Sequence, residues 1–435
     1  MSANTWKPWL PAQASSVHFK NARIVDTLNA KIIEGQDVFV SGGKFVASLA
    51  AEELDDAQVV DLENKYFVCP GLIDCHVHLT ANAGQESMGA LFQASANAIA
   101  YRTTWNAKQM LRRGFTTVRD TGGADHALRQ AIEEGLVQGP RLFIAGKALS
   151  QTGGHGDLRQ AHQGSGFKCC DSVTPGFARV CDGVPACLEA ARDELRQGAD
   201  CLKIMVGGGV SSPSDPLDAL QFTAEEIQAI TTCARQMGRI VTAHAYTVAA
   251  IRHAIDNGCR GIEHANFIDE DTAKLCRDRG VTVTPTLITY KAMSEPPYEQ
   301  FLPPEGRVKN TQVLASGVDA LKTLAATGVN VCFGTDLLAG MHSRQNEEFL
   351  IRKAALSDAA VLQSATINAA RYLGVENMLG QVKEGYTADL LLLTSDPLED
   401  VGALAKPEES IVAIVKDGRV VSSKLEQLTV SALYR

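Results

Sequence analysis

Val68-Cys69-Pro70-Gly71-Leu72-Ile73-Asp74-Cys75-His76-Val77-His78 is an apolar, strand-like run that closes on two histidines, and the texture of the chain changes at this point. Downstream, short β-rich runs are each followed by an Ala-, Leu- and Glu-rich stretch of helical period, the βα alternation of a parallel barrel. Eight runs are readable: Val68 to His78, Thr116 to Asp120, Arg141 to Gly146, Cys201 to Val206, Ile240 to Ala245, Gly261 to Ala265, Val281 to Thr286 and Val331 to Asp336. That series predicts an α/β chain folded as a (β/α)8 TIM barrel, in which chemistry sits where strands end and βα loops begin. No internal repeat or low-complexity segment interrupts it.

Upstream, Val17 to Val25, Asp37 to Val40 and Lys44 to Leu49 read as short alternating strands separated by Gly and Asn turns. The same texture returns near the other end, in Ala388 to Leu393 and Ile411 to Lys416, with Asp417-Gly418 as a hairpin signal. The expectation is a small β-sandwich domain built from both chain ends, residues 1–70 and 381–435, around a barrel of residues 71–380. At 435 residues the chain exceeds a usual single core, which suits one large and one small domain.

The chain is 45% hydrophobic and 21% charged, with no apolar run that could span a bilayer, so a membrane partner is not expected. A net charge of -9 argues against a nucleic-acid partner, which needs clustered Lys and Arg. Met1 to Ser16 has no basic segment leading into an apolar stretch, so no secretory signal is read and cytoplasmic residence is expected. Eleven scattered cysteines favour free thiols in a reducing compartment. Cys169, Cys170, Cys181 and Cys187 form a local group, but they lack the paired CxxC spacing of structural zinc modules.

Because strand side chains alternate, His76 and His78 face the same side, where two imidazoles can grip one metal ion. Alone, a His-x-His is more often structural than not. Its weight comes from where the other ligand types fall. Lys203 lies in the fourth run, His244 ends the fifth, His264 ends the sixth, and Asp336 ends the eighth after Phe333-Gly334-Thr335. Plainer roles compete at each position: Lys203 paired with a buried acid, His244 and His264 as hydrogen-bonded core histidines, Asp336 as an N-cap. Tyr246, two residues beyond His244, faces the same way; its phenol either meets an oxyanion or a carboxylate, or packs the loop. His155 stands in a Gly-rich loop after the third run. Arg119 is read either as a carboxylate partner or as an ion pair with Asp120. His126, His162, His253 and His342 read as surface or packing residues, with His342 the one most open to another role.

The set Gly71 to His78, Lys203, His244, His264 and Asp336 resembles the amidohydrolase superfamily, in its binuclear branch with a carbamylated lysine on strand four. Three narrower motifs resemble the prolidase and carboxypeptidase-like members, ochratoxinases included. They are Ala148-Leu149-Ser150-Gln151-Thr152-Gly153-Gly154-His155-Gly156-Asp157, Lys203-Ile204-Met205 followed by Gly207-Gly208-Gly209, and Ala243-His244-Ala245-Tyr246. The likeness runs along almost the whole chain.

It implies two divalent metal ions, for which zinc best suits the ligand types. His76, His78 and Asp336 would hold the more buried ion and His244 and His264 the more exposed one, with Lys203 bridging as a carbamate made from carbon dioxide. It further implies Asp336 as general acid and base, His155 as partner of a substrate carboxylate, and a homo-oligomer. The expected activity is hydrolysis of a carbon–nitrogen bond in a small-molecule or dipeptide substrate whose leaving group bears a carboxylate: a C-terminal dipeptide such as Xaa-Pro, an N-acyl amino acid, or an ochratoxin-A-like amide. The alternatives are a cyclic-amide hydrolase of imidazolone or hydantoin type on the same metals, or a non-catalytic barrel scaffold. Specificity is expected in the loops Gly153 to Asp182 and Ser211 to Asp218.

Overall fold

The structure is a computed structural model, and it describes residues 6–10, 14–159, 176–212 and 215–435. The first strands are β1 (Val17–Asp26), β2 (Lys31–Ser41), β3 (Lys44–Val46), β4 (Gln58–Asp61) and β5 (Phe67–Pro70). There follow β6 (Leu72–Val77), β7 (Phe115–Asp120), β8 (Arg141–Ile144), β9 (Ala148–Ser150), β10 (Ala178–Val180), β11 (Leu202–Met205), β12 (Val241–Thr247), β13 (Gly261–Phe267) and β14 (Thr282–Thr284). The last are β15 (Leu390–Leu393), β16 (Ile411–Lys416) and β17 (Arg419–Ser423).

Both chain ends build one sheet, in the order β17-β16-β15-β5-β1-β2-β3 with β4 also on β1. The expected sandwich is thus a single eight-stranded ladder rather than two separate sheets. The cause is the length of β1, which pairs β2 along one edge and, along the other, β4 through Val17–Lys20 and then β5 through Arg23 and Ile24. Both faces of this sheet are covered at β15, which can therefore be four buried leucines in a row. Leu390 and Leu392 enter the sheet's own core with Val17, Phe19 and Val415. Leu391 and Leu393 face the other way and pack with Phe115 and Phe349.

The hairpin signal at Asp417-Gly418 is realised, with φ of 50° and 71°, the two positive values that match a tight turn to twisted strands. A Cβ on Gly418 would lie 2.8 Å from the Cα of Gly43, backbone that cannot move aside. Gly418→Ala should therefore lower stability by about 2 kcal/mol, seen as an earlier urea midpoint at unchanged slope. Gly385→Ala, at a φ of +82° with nothing within 4 Å of its Cβ, should lose less.

The βα strands form two all-parallel sheets, β6-β7-β8 and β10-β9-β11-β12-β13-β14. The run Val68 to His78 divides at Gly71: Val68 belongs to the end sheet, and the parallel series opens at Leu72. The third run holds β8 alone, and a further short strand, β9, follows beyond Gly146, whose φ is +69°. The eighth, expected as a strand, keeps only a parallel bridge from Val331 to Val283. Asp336 has a φ of 53°, and the N–H groups of Thr335 and Asp336 converge on the single carbonyl of His76, which breaks the ladder. Individual backbone bonds still tie this segment to both neighbours: Cys332 N–H donates to Val283 O at 3.0 Å, and Cys75 N–H to Phe333 O at 2.8 Å. The assigned ladders do not form one closed cycle; strand order and direction are those of a barrel wall.

Helices cover this wall. In helix Ala224–Gln236 the Thr223 side chain caps the Glu226 N–H while Glu226 returns to the Thr223 N–H. The helix buries Ile227, Ile230, Cys233 and Ala234 on one face, in a core shared with Leu202, Ile204, Val241 and Ala243. Among the described residues no helix is long and apolar enough to cross a membrane. The nine described cysteines are free and buried; Cys181 and Cys187 have their sulfurs 3.8 Å apart, and Cys169 and Cys170 lie outside the described residues.

Candidate metal centre and substrate cavity

One cavity is lined by all eight side chains proposed for the site from the sequence: His76, His78, His155, Lys203, His244, Tyr246, His264 and Asp336. His76 comes from β6, Lys203 from β11, His244 and Tyr246 from β12 and His264 from β13, while His78, His155 and Asp336 stand outside the strands, in the segments that follow β6 and β9 and at the end of the eighth run. His264 and Asp336 get there through positive φ values of 72° and 53°, a strained conformation of the kind that persists where the surroundings enforce it.

The imidazoles are held by their outer nitrogens. His76 Nδ1–H donates to Glu263 at 2.8 Å, and His78 Nδ1–H donates to the Gly122 carbonyl at 2.8 Å. His244 Nε2–H donates to the Gly208 carbonyl at 3.1 Å. His264 Nδ1 lies 2.7 Å from Thr286 Oγ1 and 3.0 Å from Tyr290 Oη. A carbonyl only accepts, so His78 Nδ1 and His244 Nε2 carry hydrogen, and the inner nitrogens His76 Nε2, His78 Nε2, His244 Nδ1 and His264 Nε2 are left for other partners. Outer-nitrogen bonds of this kind are how proteins orient metal-binding histidines. Burial, reinforced by neighbouring cationic groups, holds His244 and His264 well below the ordinary histidine range, so both are neutral, the form that ligates.

Asp336 Oδ1 lies 3.3 Å from His76 Nε2 and 3.2 Å from His78 Nε2. Burial alone would raise its carboxyl, but those two imidazoles hold it well below the usual carboxylate range. It caps no helix; the N-cap role is not what the structure shows. Ligand atoms of His76, His264 and Asp336 all lie within 4.8 Å of one another. The backbone accounts for this, because the left-handed turn at His264 swings its ring to 5.0 Å from that of His76.

Lys203 on β11 is only 2% exposed, and no hydrogen bond or ion pair to it occurs among the described residues. The competing role, a salt bridge to a buried acid, is therefore absent there. The buried acid at hand, Glu263, is already engaged by Arg119 at 2.7 Å, by His76 and by Thr242. Burial pulls the Lys203 ammonium below its ordinary range against the opposing fields of Glu263 and Asp336.

Glu263 is the residue sequence reasoning missed. An acid directly before a ligand histidine in an otherwise apolar strand, Gly261-Ile262-Glu263-His264-Ala265, was the available signal, since such an acid needs a buried partner. Arg119 is that partner, and neither of its expected roles holds. It donates to Cys75 O at 2.6 Å, to Glu263 and to Tyr372 Oη at 3.0 Å. Asp120 instead accepts the backbone N–H groups of Leu79, Gly122 and Ala124, because consecutive strand residues point to opposite faces. Glu263→Gln should weaken metal retention by about 10- to 100-fold, measured as metal content after graded chelator dialysis.

Tyr246 Oη accepts from Tyr290 Oη at 3.2 Å. The His155 ring stacks on His244 with centroids 4.2 Å apart, and its Nδ1 lies 2.8 Å from Ser212 Oγ. His342 is buried against the Ala81 carbonyl at 2.9 Å, with burial taking it down to about 3; it does not line the cavity. The remaining wall is mostly apolar and includes Met88, Leu91, Phe177, Met293 and Leu338, with Ser211 and Thr289 as its polar members.

A model of the amidohydrolase family matches residues 67–421. Ochratoxinase of Aspergillus niger is 32% identical over 370 residues, covering 81% of this chain and 75% of its own. A solved prolidase complexed with N-methylphosphonate-L-proline superposes with a TM-score of 0.89 at 39% identity, over 94% of this chain and 100% of its own. A Xaa-Pro dipeptidase with methionine bound in its active site gives 0.83 at 28% identity, over 93% of this chain and 99% of its own. These likenesses imply a TIM barrel that carries an extra domain, and members of the superfamily generally use divalent metals.

Proposed function

Because this chain belongs to the amidohydrolase family and is a hydrolase of carbon–nitrogen bonds, we propose that it cleaves an amide whose leaving group carries a carboxylate: an N-acyl amino acid, an Xaa-Pro or other C-terminal dipeptide, or an ochratoxin-A-like amide. The supporting observation is the convergence of the ligand-type side chains and His155 on one partly apolar cavity.

The donor set fits a metal pair. His76, His78 and Asp336 would hold one divalent ion, and His244 and His264 the other, with zinc suited to imidazole and carboxylate oxygen. An ammonium cannot ligate a cation. Lys203 would bridge after its neutral amine attacks carbon dioxide, forming an N–C bond and releasing one proton to leave an anionic carbamate. A buried amine with no acceptor among the described residues suits that reaction better than a structural ammonium. Bound divalent ions supply Lewis acidity, acidifying a water molecule and polarising a carbonyl oxygen.

Within that frame Asp336, ionised in this field, accepts the proton of the attacking water and returns it to the amide nitrogen as the C–N bond breaks. Tyr290 donates to Tyr246 Oη, which leaves the Tyr246 hydrogen for the oxyanion that develops on the carbonyl. His155, which lines the same cavity, is the partner of the leaving group's carboxylate. Tyr246→Phe should lower kcat by about 100-fold with KM little changed, read from full saturation curves.

The reaction class is tested by a substrate profile over N-acyl amino acids and dipeptides varied at the C-terminal residue, beside their carboxamides and hydantoins, with bound metal counted in the same preparation. Preference for the free carboxylate is the expected result. Faster turnover of hydantoins would transfer the reading to cyclic amides, and tightly bound metal absent after expression with zinc would remove the proposed chemistry.

A further inference from the structure

A fully buried ion pair that the chemistry above does not use grips the segment Pro285 to Tyr290, which follows β14. Glu348 and Arg352 are both 0% exposed, and Arg352 Nε–H donates to Glu348 Oε1 at 2.8 Å. The opposite carboxylate oxygen, Glu348 Oε2, accepts the N–H of Leu287 at 3.1 Å and that of Ile288 at 2.7 Å. Arg352 Nη2–H donates to the Pro285 carbonyl at 2.7 Å and Nη1–H to Ser364 Oγ at 3.3 Å, with the guanidinium 4.9 Å from the centre of the Phe333 ring. The pair thus holds the backbone immediately before Thr286 and immediately after it.

Thr286 needs such help. A threonine that precedes a helix ordinarily turns its oxygen onto an N–H of the first turn. Thr286 stands in that place before the helix Leu287–Ala292, yet its side chain caps nothing there. Its Oγ1 is instead 2.7 Å from His264 Nδ1 and 3.4 Å from Tyr290 Oη. Tyr290 completes the arrangement, with Oη 3.0 Å from the same His264 nitrogen and donating to Tyr246 Oη at 3.2 Å. Glu348, 60 residues beyond Ile288, supplies the acceptor that Thr286 withholds.

A buried ion pair contributes little net stability, and apolar replacements of both partners often fold as well. What apolar side chains cannot do is bind the Pro285 carbonyl and the Leu287 and Ile288 N–H groups, and so leave Thr286 to the imidazole. We propose that Glu348, with Arg352, is a positioning residue that fixes Thr286 and Tyr290 where they hold His264 in its ligating orientation and Tyr246 toward the substrate carbonyl. This rests on the reading of His264 as a metal ligand.

The test is run about one pH unit above the value of about 7 to which burial pushes the Glu348 carboxyl, so that the carboxylate form predominates. It compares Glu348→Leu/Arg352→Met, which removes both partners, with Glu348→Gln/Arg352→Met, whose amide oxygen still accepts the two N–H groups. Zinc per chain after graded chelator dialysis, steady-state kinetics on N-acetyl-L-phenylalanine and a melting curve are read for each. Glu348→Leu/Arg352→Met should retain zinc about 10-fold less well and, reloaded with excess zinc, lower kcat by about 10-fold with KM within about twofold. Glu348→Gln/Arg352→Met should stay within about threefold of the parent on both counts. Thr286→Val should weaken zinc retention by about 10-fold, and removing the pair in that background should add little. Gly418→Ala, destabilised in the end sheet, should keep parent-like zinc.

Zinc retention decides whether or not the probe is turned over. Equal losses in the two paired variants overturn the proposal, because packing or charge alone then accounts for them. So do parent-like zinc and kcat in Glu348→Leu/Arg352→Met, a comparable zinc loss in Gly418→Ala, or a full second loss beside Thr286→Val. Should Glu348→Leu/Arg352→Met not fold, Glu348→Asp, whose shorter arm withdraws the carboxylate from the N–H groups, takes its place, and parent-like zinc and kcat there overturn the proposal. If His264→Gln loses zinc and removal of the pair does not, only the positioning network fails. If His264→Gln itself leaves zinc retention unchanged, the ligand reading fails and the network falls with it.

Discussion

Asp336→Asn should fold as the parent does and lose turnover by about a hundredfold or more. The amide has nearly the volume of the carboxyl, and Asn tolerates the left-handed backbone that Asp336 adopts at φ 53°. What it lacks is the basic oxygen. In the parent, Oδ1 sits within 3.3 Å of both His76 Nε2 and His78 Nε2, whose fields hold the carboxyl ionised against its burial. Asn cannot accept the water's proton or hand one to the departing nitrogen, so kcat and kcat/KM should fall together, the signature of an interaction made in the transition state. Steady-state kinetics beside a melting curve and a metal count separate this from misfolding. Parent-like turnover would remove Asp336 from the chemistry.

Lys203→Met should separate stability from activity. A residue placed to bridge two metals should cost more than the 10- to 100-fold typical of outer contacts, so activity should fall by more than about a hundredfold and metal content should drop with it. The same substitution should stabilise the metal-stripped protein by about 1 to 3 kcal/mol, because it replaces a buried amine that lacks a partner among the described residues with an apolar chain of similar length.

The pH dependence carries the sign. Burial lowers the Lys203 pKa in the folded state, so below the unfolded value near 10.5 the unfolded chain binds the extra proton. Stability of the stripped parent should therefore rise as pH climbs from the lowered folded-state value toward the unfolded one, and this contribution should vanish in Lys203→Met. Stripped parent protein should also regain activity faster when zinc is supplied with bicarbonate than without. Equal recovery in both would sink the carbamate, while leaving the stability argument standing.

Most of the cavity was legible from strand periodicity. His76 and His78 face one side because strand residues alternate, and Tyr246 follows His244 into the cavity for the same reason. The position of each run within the βα series then placed Lys203, His244, His264 and Asp336 on a common rim. That same alternation, applied to Arg119 and Asp120, would have excluded their pairing, and the structure sends them to different partners.

The sequence by itself determined which residues end strands and so which side chains crowd one mouth, because period and turn chemistry are local properties of the chain. Only the tertiary structure decided what holds those side chains still. Glu263 meets His76 across 187 residues, Ser212 meets His155 across 57, and Lys309 reaches Gly209 across 100. The same holds for the eighth run, whose ladder gives way because two N–H groups converge on one carbonyl of the first parallel strand. A ring nitrogen or a buried ammonium takes whichever partner the packed layers bring within about 3 Å, and no local pattern records which distant segment that is.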